Sequence, residues 1–198
     1  MKRLFLFGLI LFLGSFSLVS AREQKEKARG LYVDIGFGLG DMGYFNGDTK
    51  ATADHFNETT DTRATVDLQF LTIGRALTQS IYLVGTMSTV GDGYFDAQMN
   101  QSQITIITWG VGARYYPLPS KKYLQLGLDV GINRMDILYD QDHEYDSDAG
   151  FSGRVSAAYD FDKTMTGFTG LLGGALTMNI IENDRSLLCA LFFKVAFK

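Results

Sequence analysis

The chain has 198 residues, a formal net charge of −4 and one cysteine, Cys189. That length suits one domain rather than two, the lone cysteine excludes an intrachain disulfide, and the charge leaves no basic footprint for nucleic acid. Glycine is abundant at 22 residues, above the usual share of about 7%, and the only prolines are Pro117 and Pro119.

The first predicted element is a targeting segment, residues 1–21. Lys2 and Arg3 precede an apolar run from Leu4 to Leu13 and a small-residue ending, Val19-Ser20-Ala21. This order predicts a secretory signal peptide cleaved after Ala21. A membrane-spanning helix needs about 20 apolar residues, and this run is shorter and broken by Gly14, Ser15 and Ser17. Residues 22–29 form a polar N-terminal tail, and residues 30–198 hold everything that can build a fold.

Extended segments follow, separated by polar gaps. In GLYVDIGFGLG, Leu31, Val33, Ile35, Phe37 and Leu39 oppose Tyr32, Asp34, Gly36, Gly38 and Gly40, and a long polar gap is expected from Asp41 to about Ala64. The second segment, about Thr65 to Leu77, begins with Val66, Leu68 and Phe70 against Asp67 and Gln69. A bulge near Leu71-Thr72-Ile73-Gly74 would then shift its phase, which decides where Arg75 points. The third, about Ile81 to Val90, has ambiguous faces, and the polar stretch GDGYFDAQMNQS after it reads as a gap.

The fourth places Trp109, Val111, Ala113 and Tyr115 opposite Gly110, Gly112, Arg114 and Tyr116. The turn PLPSKK leads to the fifth, YLQLGLDVGIN, where Leu124 to Ile132 alternate with Gln125, Gly127, Asp129, Gly131 and Asn133. Beyond the acidic gap YDQDHEYDSD, the sixth sets Phe151, Val155, Ala157, Tyr159 and Phe161 against Ser152, Arg154, Ser156, Ala158 and Asp160. A turn near Asp162-Lys163 opens the seventh, Thr164 to about Ile180. The eighth puts Leu187, Cys189, Leu191, Phe193, Val195 and Phe197 on one face and Leu188, Ala190, Phe192, Lys194 and Ala196 on the other.

The polar faces are mostly glycine, alanine and serine with a few charges. A water-facing sheet has no reason to restrict side-chain size, whereas the interior of an eight-stranded barrel is only just wide enough for side chains. The gaps near Thr78 to Ser80, Pro117 to Lys122 and Asp162-Lys163 are expected to be short turns at one end, with longer loops at the other. Tyr115, Tyr116, Tyr123, Tyr159 and Phe161 flank the short turns, where an interfacial aromatic girdle belongs. The expected fold is all-β: an eight-stranded antiparallel up-and-down transmembrane β-barrel with its apolar face towards lipid, behind a cleavable signal peptide.

The segments GLYVDIGFGLG, GVGARYYPLPSKKYLQLGLDVGIN and LLCALFFKVAF resemble the small outer-membrane barrels of the OmpW, OmpX and OmpA-barrel group. The resemblance covers nearly all of residues 30–198 through pattern rather than a specific motif. It implies residence in the outer membrane of a diderm bacterium, with outer-membrane lipid and the barrel-assembly machinery as partners. Phe193, Val195 and Phe197 match the assembly signal of such barrels, although the family usually ends on the aromatic and this chain adds Lys198.

The expected lumen holds the charges Asp34, Asp67, Arg114, Asp129, Arg154, Asp160 and Lys194, with Asp34 and Lys194 as cross-strand neighbours. As a structural network these charges plug the bore; as a functional one they form a polar path. OmpW-like resemblance implies a narrow channel for small molecules, including apolar ones, with Leu188 and Phe192 as an apolar constriction. OmpX-like resemblance implies the alternative, a non-conducting structural or adhesion barrel acting through its external loops. His55 and His143, both placed in loops, lack the spacing of a Ser/His/acid site, so no enzyme, catalytic residue or cofactor is expected. The acidic stretch Asp140 to Asp148 fails as an EF-hand loop, which would need Gly at Tyr145 and Glu at Phe151, so no metal site is expected.

Overall fold

A computed structural model describes residues 30–97, 101–118, 123–139, 142–161 and 167–198. The expected signal peptide, the 22–29 tail and the Asp162-Lys163 turn lie outside the described residues. The elements are β1 (Leu31–Asn46), α1 (Gly47–Thr59), β2 (Thr62–Ala76), β3 (Ile81–Phe95), β4 (Gln101–Tyr115), β5 (Leu124–Tyr139), β6 (Asp142–Asp146), β7 (Gly150–Asp160), β8 (Phe168–Ile181) and β9 (Asp184–Phe197). Apart from β6, which pairs with β5 alone, each strand pairs antiparallel with its neighbours around the sheet. β1 also pairs with β9, so the sheet closes on itself.

Both β6 and β7 pair with β5, β6 at its outer end and β7 along the rest. They make one barrel strand interrupted at residues 147–149, and the barrel is therefore eight-stranded, antiparallel and up-and-down. The two chain ends of the barrel meet at one rim, where the backbone of Lys198 exchanges two hydrogen bonds with Gly167 at 3.0 and 3.1 Å.

Alternation decides which face is which. Leu124, Leu126, Leu128, Val130 and Ile132 are exposed, while Gln125, Asp129 and Asn133 are buried. The same alternation holds on β1, where Leu31, Ile35, Phe37 and Leu39 are exposed and Val33 is half-buried, and on β9 from Leu187 to Phe197, which are exposed at every second residue. An outward belt this apolar, closed around a polar interior, is a transmembrane β-barrel. On β2 the bulge is present: Phe70 and Leu71 are both exposed, and the register to β3 shifts between Gln69 and Leu71. Thr72 and Gly74 are thereby turned inward and Arg75 outward.

Several expected loops are instead ordered elements. Asp41 to Ala64 does not form one long polar gap: β1 continues to Asn46, α1 follows, and β2 starts at Thr62. The stretch after Val90 is likewise strand as far as Phe95, and β4 already begins at Gln101. The acidic stretch contributes the end of β5 and all of β6. The cause is length: a tilted strand needs only about 9–11 residues to cross a bilayer, whereas β1 to β5 run for 15 or 16.

Above the apolar belt the outer faces become polar, with Asp41, Thr89, Gln101, Gln103, Thr105 and Arg134, because water replaces lipid there. The long-loop expectation for this end also holds only in part. The connection from β8 to β9 is the two-residue turn Glu182-Asn183, with Glu182 at φ +54°.

Helix α1 owes its shape to what its ends find. The Asn46 side chain makes no cap. Instead the Asp184 carboxylate on β9 accepts the Thr49 N–H at 3.3 Å and the Thr49 hydroxyl at 2.6 Å, doing from another strand what a capping residue does locally. Gly47, at φ +82°, makes the left-handed entry, and a Cβ there would overlap the same carboxylate. The helix buries Thr49, Ala53 and Phe56 on one stripe and turns the rest outward.

Phe56 is 1% exposed and joins the apolar cluster at the outer end of the barrel. Truncating Phe56 to Ala removes most of that anchor. Urea unfolding of the refolded barrel is expected to show a loss of about 3–5 kcal/mol with strand content unchanged.

Candidate functional site

The candidate site is the barrel interior, which side chains cross or fill at three heights. At the rim where the chain ends meet, Tyr32, Tyr82 and Tyr116 cluster, Tyr32 tilted against Tyr82 at 5.3 Å and Tyr82 edge to face with Tyr116 at 6.0 Å between centroids. Gln125 spans the bore from β5 to β1, donating from Nε2 to the Tyr32 hydroxyl oxygen at 3.1 Å and to that of Tyr116 at 2.7 Å. Tyr32 in turn donates to Asp34 Oδ2 at 2.7 Å. Asp160, fully buried, accepts from Tyr116 at 3.2 Å and Thr169 at 2.7 Å, and pairs with the Lys198 ammonium.

The middle layer is ionic. Arg154 on β7 reaches across the lumen to Asp67 on β2 in a bidentate pair of 2.7 and 3.1 Å. Arg114 Nη1 lies 2.6 Å from Asp129 Oδ1 on the next strand. Lys194 Nζ lies 3.6 Å from Asp34 Oδ1 and so ties the last strand to the first. The Phe192 ring sits between these groups, 4.9 Å from Lys194 Nζ and 5.9 Å from the Arg154 guanidinium carbon, offering its face to both cations.

Glycine makes room for this layer. A Cβ on Gly112 would lie 1.9 Å from Asp129 Oδ1. Beside Arg114 and Asp129 is a cavity of about 20 Å3 lined by Thr72, Thr86, Ser88, Thr108, Ser152 and Thr177, among others. Measured as volume open to the centre of a water, that space suits one water molecule rather than a solute.

The outer layer reverses the polarity. Met42, Val90, Ile104, Ile106, Met135, Ile137 and Leu188 are buried inside the barrel and packed under Ala53 and Phe56 of α1. The Phe56 ring lies 5.2 Å from that of Tyr94. One charged group enters this apolar plug, Asp92, and it is fully satisfied. Arg63 pairs with it at 2.8 and 3.0 Å, and Tyr44, Thr65 and Tyr94 donate to it at 2.8–2.9 Å.

All seven charges singled out in the sequence (Asp34, Asp67, Arg114, Asp129, Arg154, Asp160 and Lys194) are buried inside, and each has an opposite charge within 4 Å. Leu188 and Phe192 are also inside but form no constriction together: Leu188 belongs to the outer apolar plug and Phe192 to the ionic layer. Phe193, Val195 and Phe197 face outward on β9. Tyr116, read as a girdle residue, is buried in the lumen, because strand alternation turns it inward next to the exposed Tyr115. Tyr115, Tyr159 and Phe161 do form an exposed aromatic rim, in which Tyr159 stacks on Tyr123 at 6.0 Å.

Sequence reading missed three parts of the interior. Arg63 and Asp92 lie in stretches whose composition is that of loops, although Val90, Asp92 and Tyr94 continue the phase of β3. Lys198 departs from the aromatic ending of the assembly signal, and its side chain turns inward and neutralises Asp160. Helix α1 carried a weak signal, Thr49, Ala53 and Phe56 at helical spacing. His55 is exposed on α1. Among the described residues no group of three or more His, Cys, Asp or Glu is placed to hold a metal ion.

No protein-family model and no curated protein sequence matches the chain. Solved structures do share its fold. Ail, the attachment invasion locus protein of Yersinia pestis, was solved alone and in complex with the heparin analogue sucrose octasulfate. It aligns with a TM-score of 0.54 at 8% identity over 86% of this chain and 100% of its own. Neisserial surface protein A aligns with a TM-score of 0.50 at 14% identity over 86% of this chain and 99% of its own. The fold is thus that of small outer-membrane β-barrels.

Asp67→Asn leaves the Arg154 guanidinium buried without a countercharge and is expected to destabilise the barrel by about 3–5 kcal/mol. The double variant Asp67→Asn/Arg154→Met removes both charges. It is expected to lose less than the single variant, and equilibrium unfolding of the two proteins side by side checks the order.

Proposed function

We propose that the protein is a plugged, non-conducting outer-membrane barrel whose function lies at its outer, α1-bearing end. The observation that supports this most is the closure of the bore at three successive heights. Gln125 and the tyrosines close one end, the Arg154–Asp67 pair spans the middle, and the apolar plug under α1 fills the other end. A channel for small solutes would need a continuous path, and among the described residues the cavity beside Arg114 and Asp129, at about 20 Å3, has room for a water rather than a solute. The reading assigns no reaction to the chain. The signal peptide at residues 1–21 would route it across the inner membrane, and the outward apolar face of Phe193, Val195 and Phe197 would serve the barrel-assembly machinery.

The working surface is then α1 with the neighbouring strand ends. Among the described residues there, the exposed acidic groups Asp41, Asp48, Asp54, Glu58, Asp148 and Glu182 outnumber the exposed Arg134 and Arg185 and the half-buried Lys50. Like charge suppresses encounter, so a sulfated glycan of the kind bound by Ail is disfavoured here. Sucrose octasulfate titrated into the refolded protein at physiological ionic strength is expected to give no binding heat. Saturable binding would show that the outer end does not select by net charge.

The reading itself is tested with vesicles loaded with small polar and apolar solutes. Inserted wild-type protein is expected to release neither above the protein-free rate. Release approaching that of an open porin would overturn the plugged reading.

A further inference from the structure

We propose that Arg75 is a binding point for the phosphate of an anionic lipid, one whose headgroup carries no cation of its own, on the outer wall of the barrel; this rests on the membrane-spanning reading of the fold. On the described strands, the other charged residues at the level of the apolar belt (Asp34, Asp67, Arg114, Asp129, Arg154, Lys194) point inward and are paired. Arg75 is exposed on the outward face.

It lies beside Leu31 on β1 and Leu83 on β3, with Ile73 and Leu77 along its own strand. None of these offers a side-chain acceptor. The chain also uses a bulge at Phe70-Leu71 to turn Arg75 out; without that one extra residue its guanidinium would point into the lumen. Inside, the five aspartates Asp34, Asp67, Asp92, Asp129 and Asp160 are each matched by one Lys or Arg, so a further cation there would have no partner.

Arg75 stands one residue from the end of β2, at the rim where the chain ends meet, next to Gly30, whose carbonyl accepts the Ala76 N–H at 3.3 Å. A guanidinium at that height can lay its stem along the apolar wall and hold its planar fork among lipid headgroups, where phosphate oxygens match its donors. At this rim, opposite the outer α1-bearing end, the fitting phosphate is the diester of an anionic glycerophospholipid; the phosphate monoester of lipid A is the other source that the test separates.

The test uses the purified, refolded protein in phosphatidylcholine vesicles, with spin-labelled phosphatidylglycerol and phosphatidylcholine reporting which lipid associates with the barrel. Retarded migration of the unboiled protein on a gel, against the boiled sample, first establishes that each variant is folded and inserted. Arg75→Leu continues the apolar belt, and its preference for phosphatidylglycerol is expected to fall by up to about five-fold, the equivalent of roughly 1 kcal/mol per basic group at a membrane surface. Arg75→Lys keeps the charge but not the fork and is expected to lie between.

Adding unlabelled lipid A as competitor assigns the source: displacement of the label from wild type but not from Arg75→Leu means that lipid A shares the site. An inserted Arg75→Leu protein with undiminished preference would overturn the phosphate site alone. A wild-type protein that cannot insert would overturn the membrane reading beneath it.

Discussion

A charge inside this barrel has nowhere to go. Lipid surrounds the wall, eight strands leave no bore wide enough for bulk water, and a buried ion without a partner costs several kcal/mol. Each interior aspartate is therefore answered by a cation from a specific place in the chain. Arg154 answers Asp67 from across the lumen, Arg114 answers Asp129 from the adjacent strand, and Lys194 answers Asp34 across the closing seam. The final residue, Lys198, answers Asp160. Because each pair joins two particular strands, a slipped register would separate partners as well as turning apolar side chains inward. The ionic layer thus helps to specify the closed barrel while it also blocks it.

The second organising fact is a change of solvent along the barrel axis. Within the belt the wall is apolar outside and polar inside. Beyond it the pattern inverts: Thr89, Gln103 and Thr105 face out, and Val90, Ile104, Ile106 and Met135 face in. Strand alternation does not change; only the medium outside does. The outer part of the molecule is consequently built like a small water-soluble barrel with a hydrophobic core, and α1 supplies the lid that such a core requires. This explains why the strands run well past the length a bilayer needs, and why Asp92, alone in an apolar setting, collects Arg63 and three hydroxyl donors.

That inversion also sets what could be read from the sequence. Inside the belt, strict alternation of large apolar residues with glycine, serine and single charges identifies strands and faces without help, as Leu124 to Asn133 does. Above the belt both faces mix: Gly91, Asp92, Gly93 and Tyr94 look like a polar loop because the outward side is glycine and the inward side includes the paired aspartate. Helix α1 was hidden for a related reason, since a helix lying on a barrel mouth buries a single narrow stripe, and Ala53 and Phe56 are its only buried apolar residues. The interior charges were legible as inward-facing from parity alone. Their partners across the bore were not, because Arg154 and Asp67 stand 87 residues apart and only the closed sheet brings them together.

Closure by charge at one level and by apolar packing at another has a consequence for where function can reside. Opening the ionic layer would require several charges to separate in a medium that does not solvate them, so this layer resists local opening. The outer plug depends on a helix tied down by Thr49 to Asp184 and by the burial of Phe56, contacts that come from one short segment rather than from the sheet. Variation in α1 can therefore alter the outer surface without disturbing strand pairing in the membrane. On the reading proposed above, the barrel is the scaffold and its outer end the surface offered to the environment, the division of labour seen wherever exposed segments carry recognition.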